Sequence, residues 1–179
     1  MANRYVAFLR GINVGGKCIL PMKDLKQIFS DAGCGCISTY IQSGNVVFSA
    51  AAKTMRTLDK RITADVKERF GHTTRVVIRD IAQMQAVVDG NPYLSKCDDP
   101  AKMHVVFLAD LPEAPSELDP MRSPPDEFCV VGQDIYLHLP NGAADTKLTN
   151  AYFDSKLKTI STARNWRTVT KMLEMLKAV

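Results

Sequence analysis

One order of patterns occurs twice in this chain and leaves few folds open: an apolar run, a helical-period stretch, two β-type runs around a Gly-containing turn, and another helical-period stretch. In the first copy, Tyr5-Val6-Ala7-Phe8-Leu9 is nearly continuous in apolar residues, as in a strand covered on both faces. After a Gly-rich loop, Pro21 opens a helix in which Met22, Leu25, Ile28, Phe29 and Ala32 recur at three and four residues, and Gly33 ends it in the left-handed region. Residues 37–41 and 46–49 read as strands around Gln42-Ser43-Gly44-Asn45, where Gly44 and Asn45 suit the positive φ of a tight turn. Met55, Leu58, Ile62, Val66 and Phe70 then share one helical face, Gly71 closes that helix, and residues 73–79 supply the last strand.

The order returns after a short helix at 81–88 and a loop through Gly90, Pro92 and Pro100. Residues 103–108 form an apolar strand, 115–121 a short helix, and 128–131 and 135–139 two strands flanking Gly132-Gln133-Asp134. A helix over 147–157 turns Leu148, Ala151 and Tyr152 inward, and a further C-terminal helix aligns Trp166, Val169, Met172, Leu173 and Leu176. No run marks a strand between these last two helices. The expected fold class is α+β, with two successive ferredoxin-like βαββαβ units: 1–80, a connecting helix and loop at 81–101, and 102–179 including the extra helix. In such a unit both helices cover one sheet face and leave the other for a partner sheet or a ligand.

Composition excludes several classes. With 46% apolar and 23% charged residues the chain is an ordinary globular sequence. The N-terminal apolar run is too short for a secretory signal, and no run approaches the roughly 18 residues of a membrane span, so a cytoplasmic protein without a membrane partner is expected. Five cysteines, an odd number, fit reduced thiols. Cys34-Gly35-Cys36 lacks a second pair, and His72, His104 and His138 lie far apart, so no metal or other cofactor is expected. The net charge of +4 is uneven: residues before Thr146 hold 16 Lys and Arg against 17 Asp and Glu, whereas those from Thr146 onward hold 7 against 2. Solvated helix faces account for such an excess, and so does a surface facing an anion.

Gly11-Ile12-Asn13-Val14-Gly15-Gly16-Lys17 satisfies seven positions of the phosphate-loop pattern and follows a strand. Its eighth position is Cys18, a poor magnesium ligand, and Pro21 disfavours a helical Leu20, so the helix N-terminus that should underlie the phosphates is missing. Two readings remain: a looser anion site built on Gly15 and Gly16 with Arg10 and Lys17, or glycines that permit a tight crossing over a neighbouring strand.

The stretches from Phe8 to Lys17, Pro21-Met22, Thr39 to Phe48, Lys147 to Asn150, and Thr162 to Thr168 together resemble the bacterial family catalogued as domain of unknown function 1697. The resemblance spans almost the whole chain. It implies a cytosolic protein of two ferredoxin-like units and carries over no activity. The chain departs at Cys18, where a polar residue is expected, and at Ala163, where Thr is usual.

Three polar clusters fall at loops or element ends: Arg10, Asn13, Gly15, Gly16 and Lys17; Gln42, Ser43 and Asn45; and Arg164, Asn165, Trp166 and Arg167, with Lys147 upstream. In the third, a helix starting near Asn165 places two arginines beside an indole at its positive end, which suits a phosphate and a stacked base. The alternative is that Trp166 fills the core, in phase with Val169 and Leu173, while the arginines pair with carboxylates. No nucleophile, base and acid are marked as a catalytic set. Ser43 lacks the esterase elbow, and the dinucleotide fingerprint is absent. The favoured function is a binding module for a phosphorylated small molecule or nucleic acid; an enzyme acting on a small anionic substrate is the alternative. Both gain if the clusters converge.

Overall fold

The structure, a computed structural model, describes residues 3–178. Its strands and helices are β1 (Asn3–Arg10), α1 (Met22–Asp31), β2 (Gly35–Tyr40), β3 (Asn45–Ala50), α2 (Ala52–Met55), α3 (Leu58–Phe70), β4 (Arg75–Asp80), α4 (Ile81–Asp89), β5 (Met103–Leu108), β6 (Glu127–Val131), β7 (Asp134–His138), α5 (Asn150–Leu157), β8 (Ser161–Asn165) and α6 (Trp166–Lys177). The chain divides into two compact units, one of residues up to 84 together with those from 172, the other of residues 85–171. Each holds a four-stranded sheet, ordered β2-β3-β1-β4 and β6-β7-β5-β8, with every neighbouring pair antiparallel. That is the ferredoxin-like order, stated twice, and α6 is the additional C-terminal helix.

In the first unit, Ala7 and Leu9 of β1 join Val46 and Phe48 of β3 under Leu25, Ile28 and Phe29 of α1 and Leu58, Ile62 and Val66 of α3. Phe29 and Phe48 meet at 5.1 Å between ring centroids. Gly33 and Gly71 sit at φ 87° and 72°, so both helices end on the left-handed residue that the periodicity predicts. In the second unit, Val106, Leu108, Ile135 and Leu137 pack with Leu148, Phe153 and Leu157.

The structure corrects several expectations. The helical stretch containing Met55 is two helices: Thr57 leaves the helical region at φ −133° and α3 starts afresh at Leu58, the first residue of its buried stripe. Residues 115–121 form only a 3-10 turn, Pro115–Glu117, since Pro120 disfavours a helical residue before it. The helix expected from 147 starts at Asn150, where the Thr149 hydroxyl caps it by accepting from the Tyr152 amide at 3.2 Å. β8 fills the place left without a strand. In the β2–β3 turn, positive φ falls on Ile41 (49°) and Gly44 (72°), while Asn45 already belongs to β3.

The sheet faces opposite the helices are not free. Val6, Phe8, Val47, Val77 and Arg79 are buried in the first unit, and Val105, Phe107 and Tyr136 in the second. Within the second unit the cover is visible: the Tyr136 hydroxyl donates to the Val87 carbonyl at 3.0 Å, and the Tyr93 ring lies 5.6 Å from that of His138. Within the first, Arg4 of β1 donates to the Met175 carbonyl at 2.9 Å and to that of Ala178, tying down the end of α6.

Candidate functional site

The Gly-rich loop is a small hairpin. The Lys17 amide donates to the Val14 carbonyl at 3.0 Å and the Asn13 amide to that of Cys18 at 3.0 Å. Gly15 and Gly16 are the two central residues, at φ 58° and 72°, the all-positive pattern of a two-residue turn matched to strand twist. No helix begins at Lys17; α1 starts at Met22. The geometry is therefore that of a turn, not of a triphosphate cradle. A tight crossing does not explain these glycines either, because a methyl added at Gly11, Gly15 or Gly16 meets nothing within 4 Å. The crowded glycine at this end is Gly44, where it would lie 2.8 Å from Leu9 Cβ and Ile12 Cδ1.

Asn13 joins the first cluster to the second. Its Nδ2 donates to the Gln42 carbonyl at 2.7 Å and the Leu20 carbonyl at 2.9 Å, and its Oδ1 accepts from the Leu20 amide at 2.8 Å. The Leu9 amide donates to the Gly44 carbonyl at 2.8 Å, which fixes the turn to the end of β1. Asn45, fully buried, donates from Nδ2 to the Tyr40 carbonyl at 3.2 Å and the Ser43 hydroxyl at 2.9 Å. The side chains of Asn13 and Asn45 thus hold the chain in shape. Facing solvent are Gly15, Gly16, Lys17 and Gln42, with Arg10 half-buried.

Antiparallel pairing brings the start of β4 to the same end. Arg75 stands opposite Arg10 in the ladder, the buried Thr74 hydroxyl donates to the Arg10 carbonyl at 2.8 Å, and His72 Nε2 lies 3.2 Å from the Ile19 carbonyl. Sequence reasoning missed Thr74, Arg75 and His72. The available signal was topological: in a βαββαβ unit the fourth strand begins where the first ends. The segments gathered here, 10–21, 39–46 and 71–75, contain Arg10, Lys17 and Arg75 and no Asp or Glu.

The third cluster belongs to the second unit, together with Lys147. Arg164 lies in β8 opposite Val105, and its Nη1 donates to the Thr162 hydroxyl at 2.8 Å and the Ala163 carbonyl at 2.7 Å; burial pushes its guanidinium down to about 10. Asn165 caps α6, its Oδ1 accepting from the Arg167 amide at 2.9 Å while its Nδ2 donates to the carbonyls of Pro100 and Ala101. Trp166 is only 5% exposed, so the indole is part of the core and does not offer a face for stacking. Arg167 and Lys147 remain at the surface. Arg10, Asn13, Gln42, Ser43 and Asn45 are all residues of the first unit.

Outside these clusters, Cys34 is buried, which raises its thiol to about 11, whereas Cys36 is exposed. His104 has a buried Nδ1 without a hydrogen-bond partner among the described residues, and burial lowers its pKa. Among those residues no group of three or more His, Cys, Asp or Glu could hold a metal ion, and no helix is long and apolar enough to cross a membrane.

Comparison with known proteins adds the following. The family described as "Protein of unknown function (DUF1697)" matches residues 2–136. No curated protein matches the chain. Among solved structures, the chain is similar to a conserved bacterial protein from Streptococcus pneumoniae at 20% identity and a TM-score of 0.74, with 99% of this chain and 100% of that one covered. At that identity the likeness carries the fold alone.

Proposed function

We propose, for a chain that belongs to the DUF1697 family, that it is a cytoplasmic binding module for an anionic or phosphorylated ligand, taken at the loop end of its first unit. One observation carries this reading: Arg10, Lys17 and Arg75 share an end whose three segments contain no carboxylate. An anion there meets no like charge from those segments, and the exposed Gly15–Gly16 turn lets it approach the backbone without a side chain in the way. The Asn13 clamp holds the loop in place before binding, which lowers the ordering cost of association.

Fluorescence anisotropy with labelled polyphosphate and single-stranded RNA at roughly 50 mM salt tests it, because phosphate contacts are salt-dependent. Binding is expected, with log K falling linearly against log salt. Substituting Lys17→Ala together with Arg75→Ala should flatten that slope by about 1.4, the share of two phosphates on a single strand. No binding of either polyanion, or a slope untouched by the double substitution, overturns the proposal.

A further inference from the structure

The same end carries an apolar surface that an inorganic anion would leave in water. Val14, Ile19 and Ile41 are 67%, 63% and 54% exposed. Each is the chain neighbour of a residue in the Asn13 clamp: Val14 follows Asn13, Ile19 precedes Leu20, and Ile41 precedes Gln42. Because one side-chain amide bonds the carbonyls of both Leu20 and Gln42, the backbone segments that carry the three aliphatics are tied to the loop that carries Lys17. Ile41 is unfavourable twice over, since a β-branched residue at φ 49° is strained and an aliphatic side chain is left in solvent. A glycine or asparagine would serve the turn better. A partner that covers Ile41 removes its apolar surface from water and so gives the position a use that a glycine there would lack.

We infer that this end docks an acidic polypeptide segment carrying aliphatic side chains, whose carboxylates face Lys17 and Arg75 while its apolar side chains cover Val14, Ile19 and Ile41. This rests on the reading above that the end takes an anion. Charge complementarity selects an acidic partner, because segments 10–21, 39–46 and 71–75 contain Arg10, Lys17 and Arg75 and no carboxylate. The aliphatics favour a polypeptide over bare nucleotides or nucleic acid, which would engage the cations and leave these three side chains in water. An extended segment with acidic and aliphatic residues in alternation presents both chemistries at once.

The test uses two synthetic peptides, one alternating Glu with Leu and the other Glu with Ser, alongside polyphosphate and phosphatidylserine vesicles. The Leu peptide should bind roughly tenfold more tightly than the Ser peptide, as burial of two or three partly exposed aliphatics implies. Ile41→Gly should weaken the Leu peptide several-fold while raising the melting temperature, a pairing that a merely structural residue does not give. Val14→Ser with Ile19→Ser, both at exposed positions, should weaken it likewise. Equal affinity for the two peptides overturns the inference. So does binding of polyphosphate without either peptide, which leaves the anion reading standing, or binding of the vesicles alone, which makes the surface a membrane contact. Failure of every probe removes both readings.

Discussion

At Gly44 an added methyl would sit 2.8 Å from two side-chain carbons, on a backbone already at φ 72°. Gly44→Ala should therefore cost about 2–4 kcal/mol, read as a lowered denaturant midpoint. An unchanged midpoint would mean that the turn is not seated on Leu9 and Ile12. Ile41→Gly works in the opposite sense and should gain about 1 kcal/mol by the same measurement. His104 adds a pH dependence. Its folded pKa lies below the unfolded value of 6.5 because burial disfavours the charged ring. As pH falls through about 6.5 the unfolded chain takes up a proton that the folded chain does not, so this contribution to stability is present above that pH and lost below it. His104→Leu should flatten the decline below about pH 6.5 relative to the parent; identical slopes would contradict the assignment. Residues differ in how far they can be read from sequence. Gly33 and Gly71 end helices as their position after an apolar stripe implies, but the positive φ at Ile41 is not legible, because it is imposed by the turn's attachment to the Gly-rich loop and not by any preference of isoleucine.

Among the elements, the Gly-rich hairpin depends on one side chain. Asn13→Ala deletes three hydrogen bonds and leaves the Leu20 amide and two carbonyls without that partner, a loss of about 1–3 kcal/mol. Hydrogen exchange should show faster exchange at Leu20, Asn13 and Lys17, with β3 and β7 unaffected; uniform protection would show that the loop holds without its clamp. β1 was legible because burial on both faces writes a continuous apolar run, Tyr5 to Leu9. β8 was not. Ser161, Thr162, Ala163, Arg164 and Asn165 carry no such run, and the strand is set by its ladder with β5 and by Asp154, whose Oδ1 accepts from both the amide and the hydroxyl of Ser161. α5 starts three residues later than its periodicity implies because Leu148 is buried ahead of the helix, and burial periodicity does not distinguish a core residue in the lead-in from one in the first turn.

Across the whole molecule, two sheets of the same strand order confirm that the repeated pattern of elements is a repeat of topology. Seven of the eight strands follow from period and punctuation, and β8 from its place in the repeated topology. The candidate site is less legible, since its members come from separate segments and are neighbours only through strand pairing: Arg75 is 65 residues from Arg10 in sequence yet opposite it in the ladder. The excess charge of the last 34 residues is also a poor guide to location. Arg164 lies in the sheet, Asn165 is the helix cap, and Trp166 belongs to the core, leaving Arg167 and Lys147 as the surface cations of that cluster. A titration of the isotope-labelled protein with pyrophosphate, followed by the backbone amide shifts of every residue, locates the anion directly. The expected result is that the largest changes fall on residues 11–17, on 41–45 and on Arg75, and that Lys17→Ala diminishes them. Changes concentrated instead around Lys147 and Arg167, or no saturable change at all, would contradict it.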